Sequence, residues 1–311
     1  MAEIRSALIV GAGAVGASIA SVIHGRERGA VGVLADPSRI SRFRAEGFVV
    51  NGRRVDLPLV DSTARPAEGA ESDLVIVAVK CHHLERAIAD MAPFVGERSL
   101  VLSLLNGITS EDDLAAAFGR EKVPYAMILG IDAVRRGNAT DFAATGKIHF
   151  GDARNEEGAW SERVSRIASF FDRVGVHYAV PGDMIRSLWY KLMINVGINQ
   201  ASAVLRATYG AFQRLPEAWS AMEAAMRELI AISRAKGTGL ADADIEAWRA
   251  TLLGLSPDAK TSMLQDVEAG RKTEVEAFSG TVIALGRETG VPTPVNELLF
   301  DLIRTIEQTY S

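Results

Sequence analysis

The first half of the chain alternates short, almost wholly apolar runs with stretches in which apolar residues return every third or fourth position. This spacing predicts strands at 4–10, 30–35, 73–79, 99–104 and 125–129 and helices at 15–28, 38–46, 84–91 and 111–118. The run Asp73-Leu-Val-Ile-Val-Ala-Val79 is apolar on both faces, as suits a parallel strand covered by helices on each side. Such alternation predicts an α/β fold with a doubly wound, mainly parallel sheet of Rossmann type. Shorter strands at 146–150 and 176–179 flank an expected helix at 156–173. After Pro181-Gly182 only the helical period remains, broken at Gly210, Leu215-Pro216, 237–239, Ser256-Pro257, Gly270 and 290–294. The expected division is an α/β domain over 1–180 and an all-α C-terminal domain over 181–311. Thr293 is placed to cap the last helix, Pro294 suits its first position, and 296–308 continues it.

Composition narrows the class without naming a chemistry. The 311 residues are 48% hydrophobic and 23% charged, which supports a buried core and excludes global disorder. The net charge of −5 gives no electrostatic footprint for nucleic acid. The most apolar stretches, 74–79 and 123–130, fall far short of the ~20 residues of a membrane span. The apolar run at 7–10 meets glycine at once and reads as a strand, not a secretory signal. Cys81 is the only cysteine, so no intramolecular disulfide forms, and a reducing, cytoplasmic setting fits. The five histidines offer no ligand cluster; His82-His83 read as a solvated turn with diverging rings, and no metal is expected.

Chemistry enters at Gly11-Ala12-Gly13-Ala14-Val15-Gly16, which follows the first strand and opens a helix. In that context Gly11 permits the tight turn, Gly13 admits a pyrophosphate to the backbone, and Gly16 allows close helix–strand packing. The helix N-terminus adds free N–H groups and a positive dipole end. Asp36 ends the second strand, twenty residues beyond Gly16, where an acid commonly binds the adenosine ribose and favours NADH. Two other readings stand beside it: Asp36 caps the next helix, or Arg39 and Arg42 pair with an NADPH 2′-phosphate.

Further polar residues stand where an open α/β sheet binds ligands. Lys80 follows the third strand and Asn106-Gly107 the fourth, each a site candidate or an ordinary solvated turn. Lys191, Asn195 and Asn199, at i, i+4 and i+8, share one face of an otherwise apolar helix. Polar groups on a buried stripe require partners or a cavity, so this row is either a site or a hydrogen-bonded seam. In 261–274, Ser262 is a candidate for a carboxylate and Glu274 for a cofactor hydroxyl or a lysine ammonium. Spacing alone equally supports a capped, solvated helix there, to which 265–268 are assigned.

Taken together, GAGAVG, VAVKCHH, LLNGI, RSLWYKLMINVGIN, SMLQDVEAGRKTEVE and GVPTPVNEL resemble the ketopantoate reductase (2-dehydropantoate 2-reductase) family over essentially the whole length. The resemblance implies a Rossmann-type dinucleotide-binding domain, a helical substrate domain, and reduction of a 2-keto acid at the cleft between them, in pantothenate biosynthesis. It implies Lys191 as proton donor, with Asn195, Asn199 and Ser262 binding substrate. Asn106 and Lys80 would line the nicotinamide side, and Glu274 would bind cofactor. The expected cofactor is NADPH, with NADH admitted by Asp36. Tyr209 and Ala259 stand where the family pattern has substrate-side asparagines. These departures keep open a reductase of another branched 2-keto acid, such as 2-ketoisovalerate. An alternative of another class is a non-catalytic NAD(P)-binding redox sensor. The expected partner is a small 2-keto acid, and the helical half offers faces suited to internal packing or to a homodimer.

Overall fold

The computed structural model describes residues 3–67 and 69–310. The chain divides into two compact units: one runs to Leu105 and resumes over Thr109–Met184, the other takes Asn106–Ile108 and the chain from Ile185 onward. The first unit begins β1 (Ala7–Val10), α1 (Ala14–Arg26), β2 (Val31–Ala35), α2 (Pro37–Glu46), β3 (Phe48–Val50), β4 (Arg53–Val55), β5 (Leu59–Asp61) and β6 (Leu74–Val77). It continues with α3 (Leu84–Met91), β7 (Leu100–Ser103), α4 (Ser110–Phe118), β8 (Tyr125–Ile131), β9 (Val134–Arg136), β10 (Ala139–Asp141), β11 (Thr145–Gly151), α5 (Glu162–Val174) and β12 (Tyr178–Ala179).

Its central sheet is parallel throughout, in the order β5-β2-β1-β6-β7, with Ala7 level with both Val31 and Leu74. Every residue of β1, β6 and β7 is buried, so the near-continuous apolar runs serve both faces. Ile9, Val33, Ile76 and Leu102 face one core; Leu8, Val10, Val75, Val77 and Val101 face the other. Each such side chain contributes roughly 1.5–3 kcal/mol on burial. This is the doubly wound fold that the alternation predicts.

Three features differ from the expected pattern. The strand at 125–129 does not join the parallel sheet; as β8 it pairs antiparallel with β11 in a three-stranded sheet, β12-β11-β8. The short β9–β10 hairpin separates β8 from β11 where a parallel return would need a crossover helix. That hairpin also completes a second sheet, β4-β3-β10-β9, whose three-residue strands leave no periodic signal. The helix expected from 156 begins only at Glu162, where Ser161 accepts the Val164 N–H as its cap, and it ends at Gly175 in the left-handed region.

From Ile185 the regular elements of the second unit, among the described residues, are all helical. It contains α6 (Met184–Ile194), a π-helical turn (Asn195–Asn199), α7 (Gln200–Leu205), α8 (Tyr209–Arg214), α9 (Pro216–Lys236) and α10 (Asp242–Leu253). Then follow α11 (Ser262–Glu268), a second π-helical turn (Glu276–Gly280), α12 (Thr281–Thr289) and α13 (Pro294–Gln308). Thr293 does not cap α13 through its side chain. The Glu228 carboxylate of α9 does so instead, accepting the Val295 N–H at 2.7 Å and the Asn296 N–H at 3.0 Å. A carboxylate satisfies two open donors and complements the helix dipole, which a lone hydroxyl does less well. No helix among the described residues is long and apolar enough to cross a membrane.

Candidate active site

The glycine turn is built as its sequence requires. Gly11 has φ +101°, and a Cβ there would lie 2.7 Å from Val79 Cγ1 and 2.8 Å from the Ala78 carbonyl. On Gly16 a Cβ would fall 2.0 Å from the Gly11 oxygen. Gly13 differs: its nearest neighbour would be Ala78 O at 3.9 Å, so protein packing does not demand a glycine there. It is the exposed N-cap residue of α1, with no side-chain cap and no acid in the first turn. Ala12, Ala14 and Val15 around it are half-buried. An uncapped helix start beside a bare backbone fits a dinucleotide pyrophosphate.

Asp36 is the N-cap of α2. Its Oδ1 accepts from Ser38 Oγ at 2.5 Å and from the Arg39 N–H at 3.0 Å, while Oδ2 lies 3.3 Å from Arg39 Nε. The Ser38 hydroxyl first, and then the Arg39 amide, hold this carboxyl below its usual range. The capping role is therefore present, and the outer oxygen faces a guanidinium. Arg135 of β9 joins this neighbourhood, a contribution that sequence reading missed. Burial first, and then the charges of Arg42 and Arg39, push its guanidinium pKa down. The guanidinium carbons of Arg42 and Arg135 lie 5.3 and 5.8 Å from the centre of the Phe43 ring.

Lys80 follows directly on the Ala78–Val79 segment against which Gly11 packs, so it stands beside the glycine turn. Half-buried, it opens a single 3-10 turn, Cys81–His83, its carbonyl accepting the His83 N–H at 2.9 Å. The two histidines are exposed as expected, but their rings meet edge to face at 4.2 Å instead of diverging.

In the helical unit the structure joins most of the polar row. Lys191 is only 9% exposed and lies one turn before Asn195. Asn199 Oδ1 accepts from Ser262 Oγ at 3.1 Å and from the Met263 N–H at 3.2 Å. With its oxygen so fixed, Asn199 donates through Nδ2 to Asn195 Oδ1 at 2.9 Å. This chain of bonds commits the oxygen of the half-buried Asn195 amide and leaves its nitrogen as the donating end. Ser262 is exposed at the other end; its proton goes to Asn199, so its lone pairs face outward. In this state its remaining capacity is that of an acceptor. Thr261 caps α11, as the bland reading of this segment has it. Asp266, assigned to a solvated face, is instead buried and paired with Arg271 at 2.9 Å.

Glu274 is buried, and its Oε2 accepts from Asn106 Nδ2 at 2.9 Å. The two residues are 168 positions apart. Gly107 beside Asn106 has φ +97° and sits against Ala277, which draws Asn106–Ile108 into the helical unit. Sequence reading also missed both π-helical turns and the buried Gln200, Ser279 and Asn296 around them. A glutamine within an almost wholly apolar helix was the available signal.

The parallel sheet opening on this glycine turn and the helical unit after it find counterparts in known proteins, and these make the chain an NAD(P)H-dependent oxidoreductase. Residues 7–155 match the profile "Ketopantoate reductase PanE/ApbA" and residues 183–307 match "Ketopantoate reductase PanE/ApbA C terminal". The chain belongs to the ketopantoate reductase family. It is similar to the 2-dehydropantoate 2-reductase of Halobacterium salinarum, at 29% identity over 97% of this chain and 98% of that protein. The crystal structure of a PanE/ApbA family ketopantoate reductase from Ralstonia eutropha is similar too, with 25% identity and a TM-score of 0.83 over 98% and 99% of the two chains. The fold also matches D-mandelate dehydrogenase in ternary complex with NADH and anilino(oxo)acetate, at 20% identity, with a TM-score of 0.88 over 98% and 99% of the two chains.

Proposed function

We propose that the chain reduces ketopantoate (2-dehydropantoate) to pantoate with NADPH, and that Lys191 is the proton donor. The observation that carries this reading is the bonded row Asn195–Asn199–Ser262, set one helical turn beyond a buried lysine. A bound nicotinamide supplies the hydride to C2. The Lys191 ammonium hydrogen-bonds the keto oxygen and releases a proton from Nζ as negative charge develops there, a role worth roughly 10²–10⁴-fold in rate. Its positive charge, held in a water-poor setting, also stabilises that developing charge. Asn195 presents an amide N–H to an acidic or carbonyl oxygen, and Ser262 presents lone pairs to a substrate hydroxyl. Their mutual bonds fix both before substrate arrives, which reduces the freedom lost on reaching the transition state.

Gly11, Gly13 and Gly16, with the backbone of Ala12, Ala14 and Val15, would hold the cofactor pyrophosphate, and Lys80 and Asn106 would serve its nicotinamide side. Glu274 would act there through the Asn106 amide that it holds. NADPH is favoured because Asp36 Oδ1 is committed to its cap and Oδ2 to Arg39, while Arg42 and Arg135 add positive charge close by. A second reading, reduction of a branched 2-keto acid without a hydroxyl, draws on Tyr209 and Ala259. The Tyr209 N–H donates to the Ala259 carbonyl at 3.1 Å, so the two departures from the family pattern are neighbours.

Steady-state assays pairing ketopantoate and 2-ketoisovalerate with NADPH and NADH test both readings through kcat/KM. Ketopantoate with NADPH should give the highest value. A higher value for 2-ketoisovalerate would establish the second reading, and oxidation with neither would restore the sensor. Lys191→Ala should lower kcat by about 10²–10⁴-fold with cofactor affinity within about twofold of wild type. Near-normal turnover by the folded variant would overturn the lysine's role.

A further inference from the structure

The π-helical turn Asn195–Asn199 carries both asparagines of the substrate row, and a single buried side chain supports it. A π turn gives up the regular α-helical bonding register. The backbone N–H of Gln200 goes to the Gly197 carbonyl. Its side-chain Nε2 donates to the Val196 carbonyl at 2.7 Å, the acceptor that its own N–H would take in an α-helix. The Gln200 side chain thus takes the carbonyl that an α-helical backbone bond would use, while its own N–H turns to a carbonyl one residue nearer at the end of the π turn.

The rest of that amide is equally committed. Gln200 Oε1 accepts from Ser279 Oγ, on the second π turn, at 2.5 Å. Nε2 also reaches Asn296 Oδ1 at 3.3 Å. Asn296 in turn donates through Nδ2 to Glu228 Oε2 at 2.7 Å and to the Ala225 carbonyl at 3.2 Å. Gln200, Ser279 and Asn296 are all 0% exposed, so no solvent can substitute for a lost partner. Packing presses on the same turn: a Cβ on Gly197 would lie 2.3 Å from Met226 Cε and 3.0 Å from Met222 Cγ.

The register matters for the site. At about 100° per residue, eight residues of regular α-helix would leave Asn199 roughly 80° out of line with Lys191. The wider π turn winds more slowly per residue and takes back part of that angle. We propose that Gln200 is a positioning residue, holding the π turn so that Asn195 and Asn199 stay in register with Lys191. This rests on the reading of the row as the substrate site.

The test uses Gln200→Met, which keeps length and loses the hydrogen bonds, and the double variant Gln200→Met/Ser279→Ala, which also removes the hydroxyl that Gln200 Oε1 and, at 3.1 Å, Asn296 Oδ1 accept. Measured are the thermal midpoint, kcat and KM for ketopantoate, NADPH affinity by fluorescence, and amide exchange of peptides spanning 195–200. Gln200→Met should raise KM about tenfold with NADPH affinity within about twofold, and speed exchange over 195–200 about tenfold. In the double variant the midpoint should recover while KM and exchange do not. Recovery of KM together with the midpoint would show a merely structural role, and unchanged exchange in the single variant would overturn the proposal. If Gln200→Met does not fold, Gln200→Asn, too short to reach the Val196 carbonyl, carries the same readouts. A wild-type protein that reduces no 2-keto acid would refute the substrate reading, while the exchange result still decides for or against the positioning role.

Discussion

Glu111 offers the most direct physical test of the first unit. It lies in the first turn of α4 and is 2% exposed. Its Oε1 accepts the Ala126 N–H at 3.4 Å and its Oε2 the Ser110 hydroxyl at 3.1 Å. Burial outweighs these bonds and the attraction of Arg120, and raises the carboxyl from 4.5 to about 7. Between those two values the folded protein holds a proton that the unfolded chain has released. Stability from this group is therefore greatest below pH 4.5, falls as pH rises, and levels off above about 7. The full difference is about 3 kcal/mol, at about 1.4 kcal/mol per pH unit. Glu111→Gln removes the titration and keeps an acceptor for the Ala126 N–H. Urea unfolding of both proteins from pH 5 to pH 8 should show the variant gaining on the wild type by about 2–3 kcal/mol. A stability difference constant across that range would refute the argument.

Gly16→Ala should lower NADPH affinity at least about tenfold and stability by about 1–3 kcal/mol, since the added carbon has backbone 2.0 Å away; unchanged fluorescence titration would contradict this. Asp36→Ala should lower stability by about 1 kcal/mol through loss of the cap, measured as a shift in the urea midpoint. Asp36→Asn keeps a capping oxygen while removing the charge, so its midpoint should hold while the kcat/KM ratio of NADPH to NADH rises; an unchanged ratio would confine Asp36 to capping. Glu228→Ala leaves the Val295 and Asn296 backbone N–H groups without their acceptor and takes from the Asn296 side chain one of its two, the Ala225 carbonyl remaining. It should cost about 2–4 kcal/mol in urea unfolding, and a loss below about 1 kcal/mol would show that the cap is dispensable.

What could be read from the sequence was local and apolar. The runs at β1, β2, β6 and β7 are buried on both faces, so composition alone marks them, and the glycine turn follows from its place between strand and helix. The row Lys191–Asn195–Asn199 was also legible, because polar residues stand out on an apolar helix. The sheet β4-β3-β10-β9 was not, since Arg53-Arg54 and Arg135-Arg136 occupy strands too short to show alternation. A π turn hides in a helix that is apolar almost all round, where several periods fit the same residues. Bonds such as Glu228 to α13 or Asn106 to Glu274 join positions far apart in the chain, and no window contains both ends.

The short segment Asn106–Ile108 has a consequence for any attempt to divide this chain. It belongs by its packing to the helical unit, yet both its flanks belong to the other. A fragment beginning at Ile185 would lack it, and the buried Glu274 would lose the amide that Asn106 donates. Cutting the protein at the obvious seam would thus separate two pieces of which one is missing a part of its own interior. The polypeptide is threaded so that its halves are not interchangeable modules, and recombination with a relative would have to exchange residues 106–108 along with the C-terminal region.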